Sequence, residues 1–466
     1  MWKRISALIL AAAMAVCCAG CAQQGTTAAA GGVQDTQADK GLPVVGDHIK
    51  YDPNKLINGG QPITVDYWYL NDTEDHINAR LIEAYEEIHP NVTINFIENP
   101  WDSIWTKLPL ALQKGDKGPT MFFVHNSYED VLLPYMEPYD IPLEDMLADY
   151  PTAATHVKDG SIYYTDYGLM TGVIYYNTKL WAEAGLTEAD IPKTWEELAA
   201  VAQKLTKRDA AGNLTQAGFN YNNDGSFILL DLYYQQGQNL FDAAGTQATL
   251  DNEAGRANVQ MLLDLYDQYG VGNKDFGTDC IQSFGQEQSA MTYRWGNFVG
   301  DLKNNYPDVE YGVFEVPTVD GQQPYAYNRY NGESTMGINK NANAAQKEVA
   351  QDFLKFYLTN TEYLKGMCTQ MSVTPCYAPL QSDPDLLKNP AVAAVIDHID
   401  RYVWPGPMPS TLETNMRIAA EDIIYNGKDI SKSLKTAEEI INIDLENTNF
   451  VSAESKYAYY QPPADN

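Results

Sequence analysis

From Ile63 to Val124 the chain alternates strand text with helix text, and that alternation narrows the fold more than any other feature. Ile63-Thr-Val-Asp-Tyr-Trp-Tyr69 alternates in polarity and is rich in β-branched and aromatic residues, which reads as a strand. Asp75 to His89 carries Ile77, Leu81, Ile82, Tyr85 and Ile88 at helical spacing, and Pro90 stops it. Val92–Ile97 is the next strand and Trp101–Gln113 the next helix, closed by Lys114-Gly115-Asp116. Met121–Val124 is a short apolar run of the kind a buried strand has. A β-α-β-α-β order implies a parallel sheet with crossover helices. The pattern recurs as strands at 173–176, 289–292 and 311–314. Helices are expected at 195–206, 254–269 and 344–358, and near 390–402, 412–426 and 433–446. Two α/β units of comparable size account for it, and 466 residues are too many for one small domain.

The N-terminus reads as an address. Lys3 and Arg4 precede an apolar stretch, Ile5 to Val16, that is shorter than the roughly 20 residues needed to span a bilayer. Cys18-Ala19-Gly20-Cys21 resembles the bacterial lipobox, with Cys18 in place of the usual Leu. This implies removal of residues 1–20 and lipid attachment to Cys21, with ordinary signal-peptidase cleavage as the alternative. Residues 22–41 are low-complexity Ala, Gly, Thr and Gln, so residues 21–59 are expected to tether a folded body to the membrane.

Charge and cysteines exclude several classes. With 62 Asp and Glu against 31 Lys and Arg, nucleic acid and anionic lipid faces are poor partners. Beyond the signal the cysteines are Cys280, Cys368 and Cys376. Cys368 and Cys376 are close enough in sequence to pair across a turn, with three buried free thiols as the other reading. No spacing suggests a metal site, and no cofactor motif is present.

Several texts then align with one known family. Asp159-Gly-Ser-Ile-Tyr-Tyr164 resembles "DGKIYGLP". Gly172-Val-Ile-Tyr-Tyr-Asn177-Thr-Lys-Leu-Trp181-Ala-Glu-Ala-Gly185 resembles "YNKDLFKEAGL". Pro192-Lys-Thr-Trp195-Glu-Glu-Leu198 matches "PKTWEEL". Ser289-Ala290-Met291 with Trp295, and Gly337-Ile-Asn-Lys340 before the 344–358 helix, complete the series. In this order, from Ile63 to about Glu446, they resemble the extracellular solute-binding proteins of bacterial ABC importers, in the family 1 branch that is maltose-binding-protein-like. Two positions depart: Thr120-Met121 stands where the family has Asp-Val, and Glu287 where it has Gly. Thr194 and Glu197 also make a capping box on physical grounds alone.

The resemblance implies a two-lobed periplasmic-binding-protein-like α/β fold. Each lobe would be a mostly parallel sheet flanked by helices, hinged by crossing segments near Tyr164–Met170, Asn331–Thr335 and Met371–Cys376. Lobe one would comprise 60–166 plus 335–372 and lobe two 167–333 plus 376–446, with 447–466 a tail. The ligand would lie in the cleft at the carboxyl ends of the strands. On that scheme Trp68 and Tyr69 close the first strand, and Asn126 and Ser127 follow the third, as does His125, which reads as structural. Tyr167 lies at the first crossing. Arg294, Trp295 and Asn297 follow the 289–292 strand, with Trp295 at the family's stacking position. Arg329, Asn331 and Glu333 precede the second crossing, and Trp404 sits in a Pro/Gly loop. Arg294 and Arg329 suit sugar hydroxyls or a structural pairing with Glu333. Tyr69 and Trp404 suit core or ligand equally, whereas Tyr67, Trp101, Trp181 and Trp195 read as core.

These aromatics point to an uncharged oligosaccharide passed to the permease of an ABC importer, by a monomeric protein held to the outer membrane face through Cys21. No catalytic residue is expected. A glycoside hydrolase is the second class, but the carboxylate pairs Glu86-Glu87, Glu129-Asp130, Glu196-Glu197 and Glu438-Glu439 fall on helices or their entries, where adjacent residues do not face each other. A receptor for glycerol phosphate, a polyamine or an amino acid is the third.

Overall fold

The computed structural model describes residues 40–457 apart from Asn71, Thr73 and Glu74. The export signal, Cys21 and most of the expected tether therefore lie outside the described residues.

The first sheet follows the opening alternation. Strand Ile63–Tyr69 is central, parallel to Val92–Glu98 on one side and to Met121–Phe123 on the other. Met336–Ile338 returns late in the chain and closes the edge antiparallel to Met121–Phe123. The helix Ile77–Ile88 buries Ile77, Leu81, Ile82 and Tyr85 as its spacing requires. Tyr67 meets Tyr69, Phe96 and Phe353 edge-on, so rings from the sheet interlock with the helix Ala344–Thr359.

The second sheet departs from the parallel expectation. Its axis is a single long strand, Asp166–Asn177, and every strand paired to it runs antiparallel: Met291–Trp295, Tyr311–Phe314, Asn328–Ser334 and Thr374–Pro375. Parallel pairing survives between Tyr402–Val403 and Asn328–Ser334, and in bridges such as Asn220 to Thr292. Each partner of this long strand comes back along it from the far end, which fixes its direction. The helices Gly225–Gln235, Glu253–Asp267, Ser410–Ile424 and Ile430–Thr448 complete the lobe. Trp195–Leu205 is a helix with both halves of the expected capping box: Glu197 N–H donates to Thr194 Oγ1 at 3.1 Å, and Thr194 N–H to Glu197 at 3.2 Å.

The long strand also carries the first expected crossing segment. Gly168 pairs with Glu333 on one side and with Pro375 on the other, so the three segments expected to cross between the lobes lie side by side. They pack without slack: a Cβ on Gly332 would come 2.1 Å from the Asp166 carboxyl carbon. Glu287, where the family carries Gly, sits at φ 57 and forms an ion pair with Lys179 at 2.9 Å.

Two segments expected to be loose are packed. The tether does not extend to residue 59. Ile49, Tyr51 and Ile57 are buried in the first lobe, and the Ile49 N–H donates to Asp149 at 2.8 Å. These apolar residues are scattered among Pro, Asn and Lys and make no periodic pattern. At the other end, Glu454 is 3% exposed; its carboxylate accepts from Tyr234 Oη at 2.6 Å and from the backbone of Leu240 and Phe241. The tail is therefore a strap on the second lobe as far as Glu454. Cys280, Cys368 and Cys376 are buried free thiols.

Candidate functional site

The strand Met291–Trp295 runs longer than its sequence suggests, so Arg294 and Trp295 lie within it and not beyond it. Trp295 pairs with Gly172 of the long strand, Tyr175 Oη donates to its carbonyl at 3.2 Å, and exposed Asn297 follows. The strand Asn328–Ser334, a stretch read from sequence only as the approach to a crossing segment, brings Arg329, Tyr330 and Asn331 alongside. Trp404 to Pro409 is neither helix nor strand, as its Pro and Gly require, and lies against the same space. Together they line a cavity of about 440 Å³, a volume in the small-molecule range. Met170 forms its hinge side, with Phe227 and Glu413 contributed by helices of the second lobe.

Six of the expected ligand residues meet here: Arg294, Trp295, Asn297, Arg329, Asn331 and Trp404. The others do not. Tyr167 is 1% exposed and belongs to the first lobe's core. Tyr69 is buried against Phe123, with ring centroids 5.0 Å apart. Tyr69 is core because alternate positions of its strand face inward, and Tyr167 because its strand is buried along nearly its whole length. Trp68 is half-buried on the lobe-one core. Asn126 is fully buried and braces the hinge by donating to the Gly332 carbonyl at 3.3 Å. Ser127 shares its turn, and its side chain lies outside the described residues. Glu333 lies beside Tyr69, Tyr167 and Asp166 on the lobe-one side. Burial, reinforced by Asp166, pushes its carboxyl up to about 7.

The arginines are paired with acids other than Glu333. Arg329 Nε donates to Asp231 at 3.0 Å and Nη1 to Glu413 at 3.1 Å, while its guanidinium lies 5.6 Å over the Trp295 ring. Asp231 also accepts from Tyr293 Oη. Burial pushes the Asp231 carboxyl up to about 6 against the pull of Arg329 and Tyr293. Arg294 is paired with Asp224. Sequence reasoning missed Asp231, although an acid inside the apolar run Phe-Ile-Leu-Leu-Asp231-Leu-Tyr-Tyr must be buried and requires a partner. Phe227 and Glu413 carried no comparable signal.

Chemically, the cavity is a recognition site with fixed donors and ring surfaces. Glu413 is its one lining carboxylate among the described residues, and Arg329 holds it. Hydrolysis by paired carboxyls requires a second such group across the site. Nε1 of Trp295, Nε1 of Trp404, Nε of Arg294 and Nη2 of Arg329 are buried without a hydrogen-bond partner among the described residues. Buried donors of this kind normally find acceptors.

Comparisons with known proteins agree with this architecture. Residues 80–394 match the model of a family described as bacterial extracellular solute-binding protein. A maltotriose-binding protein of Pyrococcus abyssi is 23% identical over 391 residues, covering 80% of this chain and 81% of the relative. An arabinooligosaccharide-binding protein of Bacillus subtilis is 22% identical over 342 residues, covering 69% and 75%. Among solved structures, the cyclic alpha-maltosyl-1,6-maltose binding protein from Arthrobacter globiformis superposes with a TM-score of 0.65 at 19% identity, covering 83% of this chain and all of that one.

Proposed function

The chain belongs to the bacterial extracellular solute-binding proteins, and we propose that it is the carbohydrate-capturing component of an ABC importer, holding a short oligosaccharide between its lobes. One observation carries this: Trp295 and Trp404 flank a single cavity whose two arginines are already neutralised by carboxylates. A neutral ring stacks on indole and requires no compensating charge. Its hydroxyl oxygens are the acceptors that the unsatisfied indole and guanidinium donors lack, and closure is the step that would bring them together. A phosphate ligand fits less well, because Arg294 and Arg329 would have to leave Asp224, Asp231 and Glu413.

The protein acts outside the cytoplasm, as its family does. The lipobox-like Cys21 supports anchoring by lipid to the outer membrane face, from which a monomer delivers ligand to the permease. Titration calorimetry against gluco-, arabino-, xylo- and manno-oligosaccharides should give saturable binding with the ligand recovered intact. Absence of heat with every sugar, or release of hydrolysis products, would refute the reading. Cys21→Ser should shift the protein to the medium, and continued membrane retention would remove the anchor.

A further inference from the structure

Successive residues of a strand point to opposite faces, so Arg329, Asn331 and Glu333 project from one face of Asn328–Ser334. Arg329 and Asn331 line the cavity, as does Met170, the ladder partner of Asn331. Glu333 is the next side chain in that row, and it is half-buried. Its own ladder partner is Gly168, which offers no side chain; a Cβ there would come 2.3 Å from Val373 Cγ2. The row thus runs from the ion pairs of the second lobe to a carboxyl just past the cavity.

The opposite face of the strand carries a second acid, and the two acids are treated differently. Ser334 Oγ donates to Asp166 Oδ1 at 2.9 Å, and His156 Nε2 lies 2.7 Å from Asp166 Oδ2. All three side chains are buried, and Asp166 is satisfied. No hydrogen bond or ion pair reaches the Glu333 carboxyl among the described residues. The cation of its own row, Arg329, is held by Asp231 and Glu413.

The groups around Glu333 do not supply a positive charge. Tyr69 of the strand Ile63–Tyr69 and Tyr167 of the long strand face it, and burial raises both phenols, so they stay neutral. Asp166 repels a charge on Glu333. Behind these stand Asp72 beside Tyr69, and Tyr357 and Cys368 beside Tyr167. His125, on which Asp166 also acts, is held by burial at about 4 and is neutral at physiological pH. A carboxyl in this setting keeps its charge only through the water that still reaches it.

We propose that Glu333 links ligand capture to proton uptake: a neutral sugar seated in the cavity removes water from the next position of the row, and Glu333 responds by binding a proton. The inference rests on the carbohydrate reading above and deepens it, because the protein then holds its ligand best with Glu333 protonated. The sign follows from linkage. The bound form keeps the proton to higher pH than the free form, so affinity is complete below the free value and falls as pH rises through it. Direct contact has the opposite sign: a carboxylate that accepts from ligand hydroxyls favours the charged form, and binding would release a proton. Glu333 is not among the cavity's lining residues, which selects water loss over direct contact.

The test is titration calorimetry of the full chain with whichever malto- or arabino-oligosaccharide binds most tightly, in phosphate and in Tris, between about pH 6 and pH 8. The two buffers differ in heat of ionisation, so the difference in observed heat counts the protons exchanged. Wild type should take up a fraction of a proton per ligand at about pH 7.5 and lose about fivefold in affinity across the window. Glu333→Gln and Glu333→Met should each keep the low-pH affinity throughout and exchange no proton. Glu454→Gln removes an acid of similar value that does not line the cavity, and should behave as wild type. Thermal melting at each pH is the folding control. Proton release, no exchange in wild type, or uptake that survives in both Glu333 variants overturns the inference and leaves the carbohydrate reading standing. If wild type binds no oligosaccharide at any pH, the proposed function itself falls and takes this inference with it.

Discussion

The two lobes carry different kinds of side-chain cluster. The second lobe carries ion pairs: Arg329 with buried Asp231 and with exposed Glu413, and partly buried Arg294 with Asp224, the Arg329 guanidinium lying over the Trp295 ring. The first lobe brings rings, with Trp105 stacked on Tyr128 and Trp101 and His125 set edge-on. Ion pairs fix geometry at a high cost when broken, because a charge left alone in the interior cannot be solvated. Rings give area and adapt to whichever sugar face arrives. On the proposed function, the charged side is the one that would fix a sugar unit in place, while the ring side offers area without fixed charge.

That contrast can be broken most strongly in the second lobe. Arg329→Met should cost about 3–5 kcal/mol in urea denaturation by stranding Asp231, and adding Asp231→Leu should restore most of the loss. A fall under about 1 kcal/mol for the single variant would mean that the pair is not buried as described. Its lobe-one counterpart is Phe353→Ala, which removes a ring that meets Tyr67 and Tyr85 and should cost a similar 3–5 kcal/mol through a cavity, with no charged partner able to rescue it. Truncation after Asn449 removes the Glu454 strap and should cost about 2 kcal/mol, confined to the second lobe.

The smallest expected effect is a pH dependence that both lobes share, since burial also raises Glu333 and Asp352 on the first-lobe side. Burial pushes Glu315 and Glu454 up to about 7 and Asp231 to about 6, all in the second lobe. A carboxyl whose folded value is raised binds more protons folded than unfolded. Its contribution to stability is therefore complete below the unfolded value and is lost as pH rises through the folded one. The second lobe's melting temperature should fall between about pH 4.5 and pH 7.5, and Glu454→Gln should flatten part of that slope in calorimetric scans. A melting temperature that rises across this window would contradict the burial of these groups.

How much of this the sequence disclosed follows from the range of the interactions. The first lobe's sheet was legible from Ile63 to Val124 because its strands and helices are consecutive and periodic, and the capping box at Thr194 and Glu197 is a local contact. The antiparallel second sheet was not, because its partners reach Asp166–Asn177 from more than a hundred residues away. Ile49 and Tyr51, and Glu454 at the other end, looked loose because isolated residues docking on a distant core leave no pattern. At the site, Arg294, Trp295 and Trp404 were legible as polar or aromatic residues near strand ends and a Pro/Gly loop. Tyr69 and Tyr167 carried the same chemistry and became core, Tyr69 through strand alternation and Tyr167 because its strand is buried along nearly its whole length. Trp101, read as core, is 44% exposed at the start of its helix. It was misplaced for the converse reason: helical spacing alone does not reveal that the first turn is left uncovered.

The central claim of the proposed function is that a sugar ring stacks on Trp295 in the cavity it lines with Arg329 and Trp404. The measurement that meets it most directly is the affinity of Trp295→Ala beside wild type, for whichever oligosaccharide binds wild type most tightly, by titration calorimetry with thermal melting in parallel. The expected result is a loss of tenfold or more, about 1.4 kcal/mol, at an unchanged melting temperature. An affinity equal to wild type would contradict it.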